Sequence, residues 1–74
     1  MTTLDARGLK CPLPVLRARK AMKDVPAGAL LTVLSSDPGS PKDFIHFCSV
    51  TGNELVESTE ADGIYRFVIR KAAA

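Results

Sequence analysis

Cys11 is followed by Pro12-Leu13-Pro14, and the run puts a thiol where a helix is about to begin. At a helix N-terminus the first backbone N–H groups lack an intrahelical partner and the macrodipole is positive. A sulfur held there is stabilised as the thiolate, which is the nucleophile. Two local registers fit the run. With Cys11 as N-cap, Pro12 is the first helical residue, Pro14 has no N–H, and the Leu13 N–H is the main donor left for the sulfur. With Leu13 as N-cap, Pro14 opens the helix. A residue before proline is pushed towards extended backbone, and both Cys11 and Leu13 precede one, which favours this second register. Under either, the thiol sits in the field of the first turn and the prolines stiffen its approach.

An ordinary cysteine titrates at about 8.5. One helix mouth, with Lys10 and Arg7 close in sequence, predicts a modestly activated thiol, suited to accepting a group and giving it up again. Nothing beside it reads as a general base. His46, the only histidine, falls off the apolar face of its helix and reads as a surface residue. No Cys/His/Asn arrangement, C-x-x-C pair or metal-ligand spacing is present. The second cysteine, Cys48, lies four residues after Phe44 on an apolar face and reads as a small core hydrophobe rather than a resolving thiol. A nucleophilic thiol with no base, oxyanion hole or pocket suits group carriage better than turnover of a small molecule.

At 74 residues the chain is one small domain, residues 1–74, with a mostly aliphatic core because aromatics are few and Trp is absent. No stretch is long and apolar enough to span a bilayer. The first residues lack the basic and apolar regions of a signal peptide, which sets an expectation of the cytoplasm. Two cysteines are too few for a disulfide scaffold. The net charge of +2 conceals an asymmetry, with net +5 up to Lys23 and net −3 beyond it. The basic part is either a solvated helix face or a docking surface around Cys11 for an acidic partner protein. Direct nucleic-acid binding is not expected, because no aromatics interleave with the bases.

The elements that must position Cys11 follow from periodicity. Thr2–Ala6 is a short strand with Leu4 and Ala6 on one face, and Gly8 frees the loop that follows it. A helix runs from Pro12 or Pro14 to about Asp24, with Val15, Ala18, Met22 and Val25 as its apolar stripe and Leu16 and Ala21 beside it. Ala29–Ser36, nearly continuous Leu and Val, is a strand near a sheet centre. Ser40 as N-cap, Pro41 and Asp43 start a second helix, whose core face is Phe44, Phe47, Cys48 and Thr51 and whose stop is Gly52. Glu54–Glu60 and Ile64–Lys71 form a hairpin through Asp62-Gly63. Tyr65, Phe67 and Ile69 oppose Arg66 and Arg70, so the sheet is covered on one side only. The order βαβαββ, with right-handed crossovers, gives an α+β protein, a compact two-layer sandwich with two helices on one face.

The run Leu4-Asp5-Ala6-Arg7-Gly8-Leu9-Lys10-Cys11-Pro12-Leu13-Pro14 resembles the signature of the TusA/SirA-like sulfur carrier proteins. The resemblance continues through Ala21, Gly28, Asp37-Pro38, Asp43 and Gly52, with Phe44 where the family more often has Ile. It implies a four-stranded mixed sheet and a persulfide carried on Cys11. It also implies a donor that is a cysteine desulfurase or a rhodanese-type protein, and an acceptor protein with a reactive cysteine. No cofactor is implied. The family's pathways include tRNA thiolation, molybdenum-cofactor maturation and sulfur oxidation. Under this reading Pro12, Pro14 and Gly8 position the thiol, while Arg7, Lys10, Arg17 and Lys20 contact partners or stabilise the anion. Two other readings remain open at this point: a non-catalytic interaction or regulatory module in which Cys11 merely caps a helix, and a redox switch through Cys11 and Cys48.

Overall fold

The computed structural model describes residues 2–10 and 13–72. Six elements follow one another: β1 (Thr2–Ala6), α1 (Leu13–Met22), β2 (Leu30–Ser35), α2 (Ser40–Thr51), β3 (Glu54–Ala61) and β4 (Ile64–Arg70). The strands form one mixed sheet in the order β1-β2-β4-β3. β1 runs parallel to β2, with Ala6 opposite Ser35, and β4 is antiparallel to both β2 and β3. Ala18 and Met22 of α1 and Phe44, Phe47 and Cys48 of α2 share one core with Ala6, Leu31, Val33, Phe67 and Ile69. Both helices therefore cover the same face of the sheet, as the alternation of β4 predicts. Among the described residues no helix is long and apolar enough to cross a membrane.

Phe44 is the centre of the core. Its ring stacks on Phe67 at 4.4 Å between centroids and meets Phe47 edge-on at 6.3 Å. Offset and edge-to-face pairs of this kind add to the stabilisation from burial. The face away from the helices is screened by the ion pairs Arg66–Glu57 and Arg70–Glu54. Between them Val68 stays 5% exposed without a covering helix. A bulge places these acids: Leu55 pairs with Ile69 but Glu57 pairs with Val68, so Val56 is the extra residue. Without it the alternation would put Glu57 on the helix face, away from Arg66.

Some element boundaries differ from the sequence reading, each for a local reason. α1 stops at Met22 rather than Asp24, because Lys23, Asp24 and Val25 donate to carbonyls three residues back and wind the chain into a tighter turn. Gly39, not Ser40, is the N-cap of α2. The Ser40 hydroxyl instead points inward, 2.6 Å from the Ser35 hydroxyl. Thr51 is exposed, not core, and its hydroxyl donates back to the Phe47 carbonyl at 2.7 Å. Leu16 is half exposed, outside the buried stripe of α1. Gly52 ends α2 as expected, its N–H on the Cys48 carbonyl. Asp62 and Gly63 both have positive φ, 52° and 78°, as a tight hairpin turn of the primed type requires.

Removing the Phe44 ring (Phe44→Ala) is expected to destabilise the fold by about 3–5 kcal/mol. Ile45→Ala, one residue away but 59% exposed, should change stability by less than about 0.5 kcal/mol. Urea unfolding of both variants measures the contrast.

Candidate functional site

Parallel strands leave the sheet at the same edge, so the chain segments that follow β1 and β2 meet there. From β1 the chain turns at once. The Leu9 N–H donates to the Ala6 carbonyl at 3.3 Å, and Gly8 takes φ 84°. Positive φ at the third position of such a turn is where glycine is favoured. A side chain at Gly8 would meet nothing within 4 Å, so the backbone conformation and not space is what requires glycine. The three successive N–H groups of this turn are all engaged: Arg7 on the Asp5 carboxylate at 3.1 Å, Gly8 on the Ser36 hydroxyl at 2.9 Å, and Leu9 on the Ala6 carbonyl.

The β2–α2 connection opposite is held as firmly. Ser35 and Ser40 are fully or almost fully buried and bonded through their hydroxyls. The Ser35 hydroxyl also accepts the Asp37 N–H at 3.2 Å, and the Ser40 N–H donates to the Asp37 carbonyl at 3.0 Å. Ser36 thus sits between two fixed neighbours and reaches across to Gly8.

Lys10 closes the loop. Its carbonyl accepts the Leu13 N–H at 2.8 Å, and Leu13 is the first residue of α1. Leu13 is therefore helical, not a cap outside the helix, and its N–H is committed to Lys10 rather than left for a sulfur. Cys11 and Pro12 lie outside the described residues, as does the cap assigned to Cys11. Pro14 is described, and it is among the largest fully buried side chains of the chain. Spaced four residues from Ala18 and eight from Met22, it seats the first turn of α1 on the core. The proline read from sequence as a stiffener is also an anchor.

The basic residues named from sequence divide into two groups. Arg7 does not stand as a free cation. Its guanidinium makes two bonds of 2.9 Å to the Asp5 carboxylate, which also accepts the Arg7 N–H. This pairing holds the Asp5 carboxyl down at about 2, the side-chain bonds from Arg7 being the main cause, and raises Arg7. Lys10, Arg17 and Lys20 are exposed. Leu13, Leu16, Arg17 and Lys20 fall on one helical stripe by spacing. Leu13 and Leu16 are 44% and 50% exposed, so apolar and cationic surface alternate from the start of α1. Beside this stripe a groove of about 460 Å³ separates the helices, lined by Val15, Leu16 and Arg19 of α1 and by Asp43, His46 and Val50 of α2. His46 is thus exposed at a groove wall. Cys48 faces the core and burial pushes its thiol up, which disfavours the thiolate.

The sequence reading missed the hydroxyls that hold this edge together. Ser36 lies 28 residues from Gly8, so no local pattern connects them. The one available signal is the cluster of serines flanking Asp37-Pro38-Gly39. Ser40 was visible within it, but as a cap.

The two-layer α+β domain places the segment that contains Cys11 between its first strand and its first helix. A model of the family described as sulfurtransferase TusA matches residues 2–71, and the chain belongs to that family. It is 52% identical over 69 residues to the sulfur carrier protein TusA of Allochromatium vinosum, covering 93% of this chain and 91% of that one. To the sulfur carrier protein TusA of Pseudomonas paraeruginosa it is 44% identical over 70 residues, covering 95% and 89%. The crystal structure of a SirA-like protein from Desulfitobacterium hafniense superposes with a TM-score of 0.85 at 33% identity, covering 99% of this chain and all of that one. A role in sulfur carriage follows from this membership.

The Asp5–Arg7 pair is open to direct measurement. Carboxyl-detected NMR titration should find Asp5 at about 2, and Arg7→Ala should return it towards the ordinary aspartate value of about 3.9. Because the folded-state value is lowered, the pair's contribution is present above the ordinary carboxylate range. It is lost as pH falls through the folded value.

Proposed function

We propose that this chain is a protein-persulfide sulfurtransferase that carries sulfur on Cys11. The observation that carries the reading is the contrast between its two cysteines. Cys48 is built into the core with its thiol form favoured. Cys11 stands in the Cys-Pro-Leu-Pro run, directly after a loop whose every N–H from Arg7 to Leu9 is tied down. The names of the relatives, sulfur carrier proteins matched over nearly the whole chain, support the same reading.

The transfer balances without an external oxidant. The Cys11 thiolate attacks the outer sulfur of a donor persulfide. A new S–S bond forms at Cys11 while the donor's S–S bond breaks, and the electron pair leaves with the donor cysteine as thiolate. In the second step an acceptor thiolate attacks the outer sulfur on Cys11, and Cys11 departs as thiolate. Both steps are thiol exchange at sulfane sulfur, so the leaving thiolate must be stable and the attacking one available near neutral pH. Pro12, Pro14 and Gly8 position the thiol in this account, Pro14 by anchoring α1 and Gly8 by allowing the turn.

The donor is a cysteine desulfurase or rhodanese-type protein and the acceptor is a protein with a reactive cysteine. The stripe of Leu13, Leu16, Arg17 and Lys20 is a surface such partners would cover, apolar for burial and cationic for an acidic counterpart. Lys10 extends that basic surface to the thiol segment, whereas Arg7 is already paired. Transfer passes from protein to protein without direct nucleic-acid contact, and it takes place in the cytoplasm, where thiols stay reduced.

Incubation with a cysteine desulfurase and cysteine should add one sulfur atom to the intact mass, reversible by reductant. Cys11→Ser should gain none. A wild-type protein that stays unloaded, or a Cys11→Ser protein that loads equally, contradicts the proposal. Charge reversal of Arg17 and Lys20 together should slow loading by the protein donor several-fold and weaken its salt dependence, with the fold unchanged.

A further inference from the structure

Ser36 has no part in the chemistry described so far, yet its hydroxyl joins the turn after β1 to the connection after β2. The parallel ladder between β1 and β2 ends at the pair Ala6 and Ser35. One residue further, the Ser36 hydroxyl accepts the Gly8 N–H at 2.9 Å, adding a side-chain rung where the backbone ladder has stopped. Ser36 is itself placed from both sides. Ser35 before it is wholly buried and bonded to Ser40, and the Asp37 N–H after it is held by the Ser35 hydroxyl. The position of Ser36 is therefore fixed by the core, and the position of Gly8 is fixed by Ser36. From Gly8 only Leu9 and Lys10 intervene before Cys11.

We infer that Ser36 is a positioning residue for sulfur transfer, setting the direction in which the Arg7–Lys10 loop presents Cys11 to a protein partner. The inference rests on the carrier reading above. It assigns Ser36 an effect on the encounter between proteins, where orientation of the reacting atoms counts, and no effect on the intrinsic reactivity of the thiol. Gly8 gives the loop the backbone freedom to make the turn, and Ser36 removes the freedom that is left over.

The test compares wild type, Ser36→Ala and Ser36→Thr by three readouts. Hydrogen exchange at the Gly8 amide reports the tether. Single-turnover sulfur uptake from a loaded desulfurase reports transfer between proteins, and alkylation by iodoacetamide reports the bare thiol. In Ser36→Ala the Gly8 amide should exchange about twofold to tenfold faster, the range expected for one lost hydrogen bond. Protein-to-protein uptake should slow by a comparable factor, alkylation should stay at the wild-type rate, and Ser36→Thr should restore both affected values. Wild-type uptake by Ser36→Ala despite a freed Gly8 amide overturns the inference, and so does an equal loss of alkylation. If Ser36→Ala does not fold, the pair Ser36→Thr and Ser36→Val, matched in shape and differing in the hydroxyl, makes the same comparison. A wild-type protein that takes up no sulfur overturns the carrier reading itself, whereas normal uptake by wild type and Ser36→Ala alike removes only the role of Ser36.

Discussion

Parallel pairing of β1 with β2 obliges the chain to leave both strands at one edge of the sheet, and to cross over a face before it can return. α1 and α2 begin at that edge for this reason. The turn that follows β1 and the serine-rich β2–α2 connection are thereby neighbours, although nearly thirty residues separate Gly8 from Ser36 in sequence. Everything that holds the loop uses this proximity: the Gly8–Ser36 bond, the buried Ser35–Ser40 pair behind it, and Pro14 seated on the same core as Phe44. An antiparallel first pair would have sent the two connections to opposite ends.

The polar groups at this edge are costly to bury and are correspondingly well satisfied. Among the described residues, no buried side-chain nitrogen or oxygen lacks a hydrogen-bond partner. A buried hydroxyl without a partner costs roughly 1–3 kcal/mol, so Ser35 and Ser40 are tolerated inside because each satisfies the other. The charges are arranged in a complementary way. Asp5 absorbs the charge of Arg7 locally, and Arg66 and Arg70 are absorbed by Glu57 and Glu54 on the uncovered face of the sheet. The exposed cations Arg17 and Lys20 instead share a helical stripe with uncovered leucines. The asymmetry of charge along the sequence thus becomes an asymmetry of surfaces, with the basic one beginning beside the thiol segment.

Features set by short-range periodicity were legible before the structure. The four strands, the Asp62-Gly63 turn, the stop at Gly52 and the buried faces built on Ala18, Met22, Phe44 and Phe47 all repeat at helix or strand spacing, and the family signature added the mixed sheet. What escaped depends on contacts distant in sequence or on a choice between equivalent local bonds. Ser40 had the right type and place for a cap, but the buried Ser35 hydroxyl competes for it. Thr51 fits the apolar spacing, yet it falls in the last turn of α2, where its hydroxyl turns back to the helix. Arg7 looked free because its partner lies two residues back, around the bend from strand to loop. Pro14 was read only for its backbone, since a proline in a motif draws attention to φ rather than to the apolar surface of its ring. The bulge at Val56 has no signature in the sequence, because an extra residue is visible only against the partner strand.

The account stands on one claim: that transferable sulfur resides on Cys11 and not on the buried Cys48. Loading the protein with heavy-isotope sulfur from cysteine through a desulfurase, trapping by alkylation, and mapping the peptides by tandem mass spectrometry tests it directly. The label should appear on the peptide containing Cys11, be absent from that containing Cys48, and disappear from Cys11 when a thiol-bearing acceptor protein is added. Label found on Cys48, or label that stays on Cys11 in the presence of the acceptor, would contradict it.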